Sequence, residues 1–271
     1  KIKEMTSTCF CIPARFESTR LPQKLLLKFG QQSCLEKTYI QTTKSAFSKD
    51  DNSNIFILTD SKKLAEVIAT ALPGAEQNII MTSLDCVNGT DRISKYLDKI
   101  PAHYQYIVNV QADEPFISPH NIDHAITEHI KNANTEPTRP SLGVFYTTLH
   151  EENNTQAYLQ STASLKVVVD RNNNVMYYSR NVVPWNKENK LQQPLSKYKT
   201  FTGIYVFNRS KLEDYKDMPA TEYQLEEDCE QLKILENGYS IKSYPTIEYN
   251  EISLNTPDDY TYLLNKYSAW A

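Results

Sequence analysis

Four short, mainly apolar runs, at residues 9–12, 55–58, 79–81 and 106–110, constrain the fold of this chain more than any other feature. A strand covered on both faces reads as such a run, because neither side of it meets water. Between and after the runs, apolar residues recur at helical spacing. One stripe is Leu35, Tyr39, Ile40 and Phe47; the next is Leu64, Val67, Ile68, Ala71 and Leu72. Ile93, Leu97 and Ile100 make a third, within a helix expected over 91–100, and Ile122, Ala125, Ile126 and Ile130 a fourth. Strand and helix in strict alternation predict right-handed crossovers and an α/β fold, a mixed, mainly parallel sheet flanked by helices.

Boundary residues sharpen this order. Ser33 and Glu36 make a capping box, and Pro73-Gly74 stops the second helix. The first strand is expected to break at Pro13, and 25–29 to be a short extended piece ending at Gly30. Near residue 133 the pattern changes to a polar, proline-bearing loop over 132–140 and a strand over 142–149. Residues 165–170 and 175–178 flank Arg171-Asn172-Asn173-Asn174, which reads as a β-hairpin. A strand at 201–207, a helix over 223–236 ended by Asn237-Gly238, strands at 240–244 and 247–249 and a helix over 257–264 complete the chain. One domain over 1–271 is expected, with a β-rich insertion at roughly 140–200 extending the same sheet.

Composition narrows the function. The 271 residues bury a core easily, and the net charge of -4 argues against nucleic acid or an anionic membrane as partner. No apolar run approaches the roughly 18 residues of a membrane span, and the Lys-Ile-Lys-Glu-Met start lacks a signal-peptide core. Five irregularly spaced cysteines fit a reduced, cytoplasmic protein; Cys9 and Cys11, on one side of a strand, read as core. None of the six glycines falls between 13 and 24, which excludes a glycine-rich phosphate loop there. His120, His124 and His129 do not share one helical face and read poorly as a zinc site. Trp185 reads as a hairpin or interface anchor, and the eighteen tyrosines as packing.

Ligands of open α/β sheets sit beyond the carboxyl ends of the strands, and three polar segments occupy such places. The first carries Arg15, Arg20 and Lys24, three cations suited to a triphosphate. The second, Asn88-Gly89-Thr90-Asp91-Arg92, feeds a helix N-terminus. The third, Gln111-Ala112-Asp113-Glu114-Pro115, brings two carboxylates, and Asp113 reads as a ligand for Mg²⁺ beside phosphates. Taken singly, each also reads as structure: solvated loop charges, a turn, a helix cap. Their joint placement at strand ends favours chemistry.

The motifs Pro13-Ala14-Arg15-x-x-Ser18-Thr19-Arg20-Leu21-Pro22-x-Lys24, Asn88-Gly89-Thr90-Asp91-Arg92 and Val108-Asn109-Val110-Gln111-x-Asp113-Glu114-Pro115 resemble the CMP-Kdo synthetases, the 3-deoxy-manno-octulosonate cytidylyltransferases. The resemblance continues through Leu165-Lys166-Val167-Val168, Tyr178-Ser179-Arg180, Val183-Pro184-Trp185 and Gly203-Ile204-Tyr205 to Glu230-Gln231-Leu232-Lys233 and Thr256-Pro257-x-Asp259. It implies a nucleotidyltransferase fold, Rossmann-like and of GT-A type, with a β-rich dimerising insertion and a homodimer. It implies an enzyme that uses CTP and Mg²⁺ to couple CMP to the anomeric hydroxyl of a 2-keto-3-deoxy sugar acid (Kdo), releasing pyrophosphate, for lipopolysaccharide-type glycan synthesis. By the same resemblance, Arg15, Lys24 and Asp113 are catalytic. Ala14, Arg15, Ser18, Arg20, Lys24, Asn88, Gly89, Arg92 and Gln111 bind nucleotide. Gln111, Arg180, Tyr205, Glu227, Glu230 and Gln231 bind the sugar acid, and Asp113 with Asn255 the metal; a structural role for Arg180 at the hairpin stays equally open.

Four positions depart from the family pattern. Ala112 replaces a glycine, and its methyl is expected to crowd the nucleotide. Phe201 replaces a histidine that contacts sugar, and Cys86 another histidine. Asn255 replaces a metal-holding aspartate, so weaker Mg²⁺ binding or a single metal is expected. These departures motivate two rivals, the same chemistry on 8-amino-Kdo or another ulosonic acid, and a non-catalytic nucleotide-binding paralogue.

Overall fold

The computed structural model describes residues 7–133, 143–188 and 190–267. Among these residues the main sheet holds nine strands. β1 (Thr8–Ala14) lies between β4 (Ile55–Thr59) and β6 (Tyr106–Val110), parallel to both, and β5 (Ile79–Met81) extends the β4 edge. Beyond β6 the sheet turns mixed: β10 (Lys199–Asn208) runs antiparallel between β6 and β7 (Val144–Glu151), and β11 (Ser240–Pro245) pairs in parallel with β7. The hairpin of β8 (Lys166–Val169) and β9 (Val175–Ser179) attaches to the start of β10. A separate two-stranded ribbon, β2 (Lys28–Phe29) with β3 (Gln32–Ser33), turns at Gly30.

Alternation along the strands supplies two cores. Phe10, Ile12, Val108, Val110, Ile204 and Val206 face one side, against α1 (Cys34–Thr43), α2 (Lys62–Ala71), α4 (Pro119–Ala133) and α9 (Pro257–Lys266). Cys9, Cys11, Leu58, Ile107, Tyr205 and Phe207 face the other, against α3 (Gly89–Lys95), α6 (Arg209–Asp217) and α8 (Glu230–Glu236). The Ser33–Glu36 capping box forms as the sequence predicts.

Five expectations are corrected. β1 runs through Pro13 instead of breaking there. Phe10 N–H points to β4, bonding Asn54 O at 2.8 Å, so by alternation residue 13 faces β6, whose pairing ends at Cys11. The missing proline N–H therefore costs no ladder bond. Lys24–Leu26 forms a 3₁₀ turn before β2 rather than an extended piece. The helix expected over 91–100 ends at Lys95, and a 3₁₀ turn at Leu97–Lys99 still buries Leu97 and Ile100. The helix expected over 223–236 is two, α7 (Glu222–Glu226) and α8, separated where Asp228 adopts a φ of 45°. Residues 247–249 form no strand; the Asn121 side chain takes up the Ile247 and Glu248 N–H groups at 3.0 and 3.2 Å. The loop expected at 132–140 lies outside the described residues from 134 on, as does Leu142.

Two buried histidines make the fold sensitive to acid. Burial pushes His129, bonded to Thr147 Oγ1 at 3.0 Å, and His150 down to about 4. A histidine kept neutral in the fold but protonated when unfolded stabilises above about pH 6.5, and that contribution is lost as pH falls toward 4. The melting temperature is therefore expected to drop steeply from pH 6.5 to 4, and His129→Gln to flatten the drop; an equal slope in the variant refutes the assignment.

Candidate active site

The loop after β1 is fastened from beneath by a buried ion pair. Phe16 N–H donates to Asp60 Oδ1 at 3.1 Å, and Asp60 Oδ2 accepts from Arg92 Nη2 at 2.7 Å, the two side chains only 6% and 3% exposed. Arg92 also reaches Thr82 Oγ1 and Ser83 O. One residue past β4, one past β5 and one on α3 thus hold the first loop. Arg92, expected to touch nucleotide, has its guanidinium turned into this support instead. Arg15 and Arg20 are exposed and Ser18 partly so, around the end of β1 where Ala14 is buried.

Across the sheet end, Lys24 Nζ bonds the Asp113 carboxylate and lies 3.3 Å from Asn255 Oδ1, while Arg20 Nη2 lies 3.4 Å from the same oxygen. Asp113 lies three residues past the end of β6, and its carbonyl accepts from Leu254 N–H at 2.9 Å, which pins the 254–255 segment beside it. The Asn255 N–H is fixed by Asp259 Oδ2 at 3.0 Å within the α9 capping box. Two oxygens from distant segments therefore converge on one cationic nitrogen.

The other two segments close in by small contacts. Asn88 caps α3, accepting from Asp91 N–H at 2.7 Å, and its Nδ2 donates to Tyr215 Oη at 3.2 Å. Gly89 is tight for a side chain: a Cβ there would lie 3.0 Å from Pro13 Cγ and 3.1 Å from Gln111 Nε2, so those neighbours would have to give by a few tenths of an ångström. Gln111 is held at both ends, its N–H on Gly203 O at 2.9 Å and its Nε2 on Asn109 Oδ1 at 3.1 Å. All three predicted segments thus meet above β1 and β6.

The residues expected to bind sugar acid divide. Glu230 is partly buried, its carboxyl pushed up by burial, with Thr90 Oγ1 donating to it at 3.2 Å; Gln231 Nε2 donates to Tyr205 Oη at 2.7 Å. Arg180 instead binds backbone carbonyls, Glu227 O at 3.0 Å, Asp228 O at 2.6 Å and Thr162 O at 3.3 Å. The Glu227 carboxylate accepts from Ser179 Oγ at 2.7 Å and Arg180 N–H at 2.8 Å. This arginine is a latch between the hairpin and the α7–α8 break, the structural alternative the sequence left open.

Ala112 lies in the core behind the site, its carbonyl bonded by Thr38 Oγ1 at 3.0 Å, so its methyl does not crowd a nucleotide as expected. Sequence reasoning missed Asp60, although Thr59-Asp60 ends the second strand, and Ser253. It also gave no role to Glu114, which is pushed up to about 8 by burial and by Asp113 and accepts from Ser253 Oγ. Glu114 packs where Gly203 lacks a side chain, for a Cβ there would sit 2.4 Å from its Oε1.

An open, mostly parallel sheet with a cation-bearing loop after β1 and a carboxylate after β6 defines a nucleotidyltransferase. A cytidylyltransferase profile matches residues 9–243. The 3-deoxy-manno-octulosonate cytidylyltransferase of Protochlamydia amoebophila is 31% identical over all of this chain and 96% of its own, and that of Zea mays 33% identical over 92% and 76%. A solved CMP:2-keto-3-deoxy-manno-octonic acid synthetase complexed with CTP superposes with a TM-score of 0.78 at 22% identity, covering 98% of this chain and all of that one. The inositol-1-phosphate CTP transferase of T. maritima superposes at 0.60 and 14% identity, covering 97% of each chain. The chain belongs to the cytidylyltransferases, and among them to the 3-deoxy-manno-octulosonate cytidylyltransferase family.

Removing one partner of the Asp60–Arg92 pair strands a buried charge, at a cost of about 3–5 kcal/mol. Arg92→Met is expected to lower the melting temperature and raise the KM for nucleotide, and Asp60→Asn added to it to restore much of the stability. A double variant no more stable than Arg92→Met refutes the pairing as the cause.

Proposed function

We propose that the protein transfers CMP from CTP to the anomeric hydroxyl of Kdo, with release of pyrophosphate. The observation that carries this reading is the meeting of Lys24, Asp113 and Asn255 beneath a loop bearing Arg15 and Arg20. Attack on an α-phosphate needs alignment and charge neutralisation rather than covalent chemistry. Arg15, Arg20 and Lys24 hold the triphosphate, with Ser18 beside them. Ala14, Asn88, Gly89 and Gln111 border the nucleotide, and Arg92 holds the loop in place. Gln111, Tyr205, Glu230 and Gln231 face the acceptor, while Arg180 and Glu227 hold the hairpin that closes on it.

The donors fit a hard divalent cation. The Asp113 carboxylate and Asn255 amide oxygen already converge on a positive nitrogen, and Mg²⁺ takes one or two carboxylates plus phosphate oxygens. When bound, Mg²⁺ supplies charge neutralisation at the phosphates. Lys24 then exchanges Asp113 for phosphate oxygen, so that one residue serves both the free and the loaded enzyme. A homodimer joined through the β-rich region is part of the same reading, supported by exposed Met176 and Trp185. Five free, buried cysteines fit a cytoplasmic setting.

Pyrophosphate release is expected with CTP, Kdo and Mg²⁺, and little with ATP, GTP or UTP. No release with any nucleotide and either Kdo or 8-amino-Kdo overturns the proposal, and preference for 8-amino-Kdo moves it to that acceptor, the alternative that Phe201 favours. Asp113→Ala should cost about 10²–10³-fold in kcat, the scale of losing a principal charge-stabilising group. Asn255→Asp should lower the Mg²⁺ concentration needed for half-maximal rate, and a higher requirement counts against Asn255 as a metal neighbour.

A further inference from the structure

Between β11 and α9 the chain has no regular structure over 246–256, and this stretch carries Asn255. A donor oxygen on such a segment keeps its place only where the segment is tied to a rigid element. Two ties run to the turn after β6. Leu254 N–H donates to Asp113 O at 2.9 Å, and Ser253 Oγ donates to the Glu114 carboxyl. The Tyr158 ring, on α5 (Gln156–Gln160), lies against the same serine.

Glu114 is buried in a seat shaped for it. A Cβ on Gly203 would lie 2.4 Å from its Oε1, 2.7 Å from its Cγ and 2.9 Å from its Cδ, so the end of the side chain rests on the bare backbone of β10. The Gly203 N–H faces the same carboxyl, and Gly203 O accepts from Gln111 N–H at 2.9 Å. Between Phe201 and Tyr205, β10 shifts its register against β7, and Gly203 lies within that irregularity. The Glu114 backbone is held as well, its N–H on Gln111 O and its carbonyl on Ile117 N–H, both at 3.2 Å. Among the described residues no lysine or arginine bonds the carboxyl; its partners are a hydroxyl and a backbone amide.

A carboxyl so placed joins three parts of the molecule that the chain keeps far apart: the turn after β6, the middle of β10 and the segment before α9. We propose that Glu114 is a positioning residue, whose carboxyl, seated on Gly203, holds Ser253 and so sets where the Asn255 oxygen stands relative to Asp113. The inference rests on the placement of Mg²⁺ at Asp113 and Asn255 given above. Direct action of the Glu114 carboxylate on the metal is the rival, and an amide separates the two. Glutamine can accept from the Gly203 N–H through Oε1 and donate to Ser253 Oγ through Nε2, so it replaces a tie but not a charged ligand.

Rates with CTP and Kdo are measured against Mg²⁺ concentration, and amide hydrogen exchange at Leu254 is followed in the free protein. Ser253→Ala is expected to raise the Mg²⁺ concentration for half-maximal rate by about ten-fold, the scale of losing a group that orients a metal ligand. The KM for Kdo should stay within about two-fold, and Leu254 exchange should quicken by about ten-fold. Glu114→Ala should act in the same direction, and Glu114→Gln should return both readouts to within about three-fold of wild type. Where Glu114→Ala fails to fold, Ser253→Ala and Glu114→Gln decide. An unchanged Mg²⁺ requirement in Ser253→Ala overturns the inference even where exchange quickens, for the tie then serves structure alone. A ten-fold or greater rise in the Mg²⁺ requirement of Glu114→Gln overturns it in favour of the rival. A wild type whose rate is independent of Mg²⁺ overturns the metal placement and this inference together.

Discussion

The pair between Asp60 and Arg92 is the interaction on which the rest of the site depends. Two opposite charges taken out of water must satisfy one another, and here they also serve their surroundings. Asp60 spends its second oxygen on the backbone of the first loop, and Arg92 its other nitrogen on the segment after β5. The ends of β1, β4 and β5 and the helix α3 are thereby locked to one another. A loop without glycine, with Arg15 and Arg20 exposed on it, thus has its base held by this buried charge.

The mobile charge lies at the other side of the sheet end. Lys24 sits between Asp113 and Asn255, where a carboxylate left alone would repel a triphosphate. An aspartate at 255 would bring a second negative charge to the same place; asparagine keeps the oxygen and drops the charge. The lysine is then shared by one carboxylate and one neutral acceptor.

The hairpin is held by cations that bind backbone carbonyls. Lys166 is fully buried, its ammonium bonded to the Ser161 and Ser164 carbonyls at 2.8 Å and to Arg180 O, and burial pushes it down to about 8. Arg180 in turn takes the Glu227 and Asp228 carbonyls. The φ of 45° at Asp228 separates α7 from α8, and the guanidinium takes up carbonyls at that break.

By itself the sequence determined the chain order of alternating strands and helices in the first half, the capping box at Ser33, the cation loop and the carboxylate after β6. Each of these follows from local chemistry: buried parallel strands must read as apolar runs, and phosphate-binding cations must stand where strands end. Contacts between residues far apart in the chain were not legible. Pro13 stays in its strand because the ladder on its open side has already ended, a fact of neighbouring strands and not of proline. Arg92 and Arg180 carry the same motif-level signature as ligand-binding arginines, and only the tertiary structure decided that one pairs with Asp60 and the other with backbone carbonyls. Arginine's fork serves a ligand and a protein carbonyl equally well, so its role is set by what the fold places in front of it.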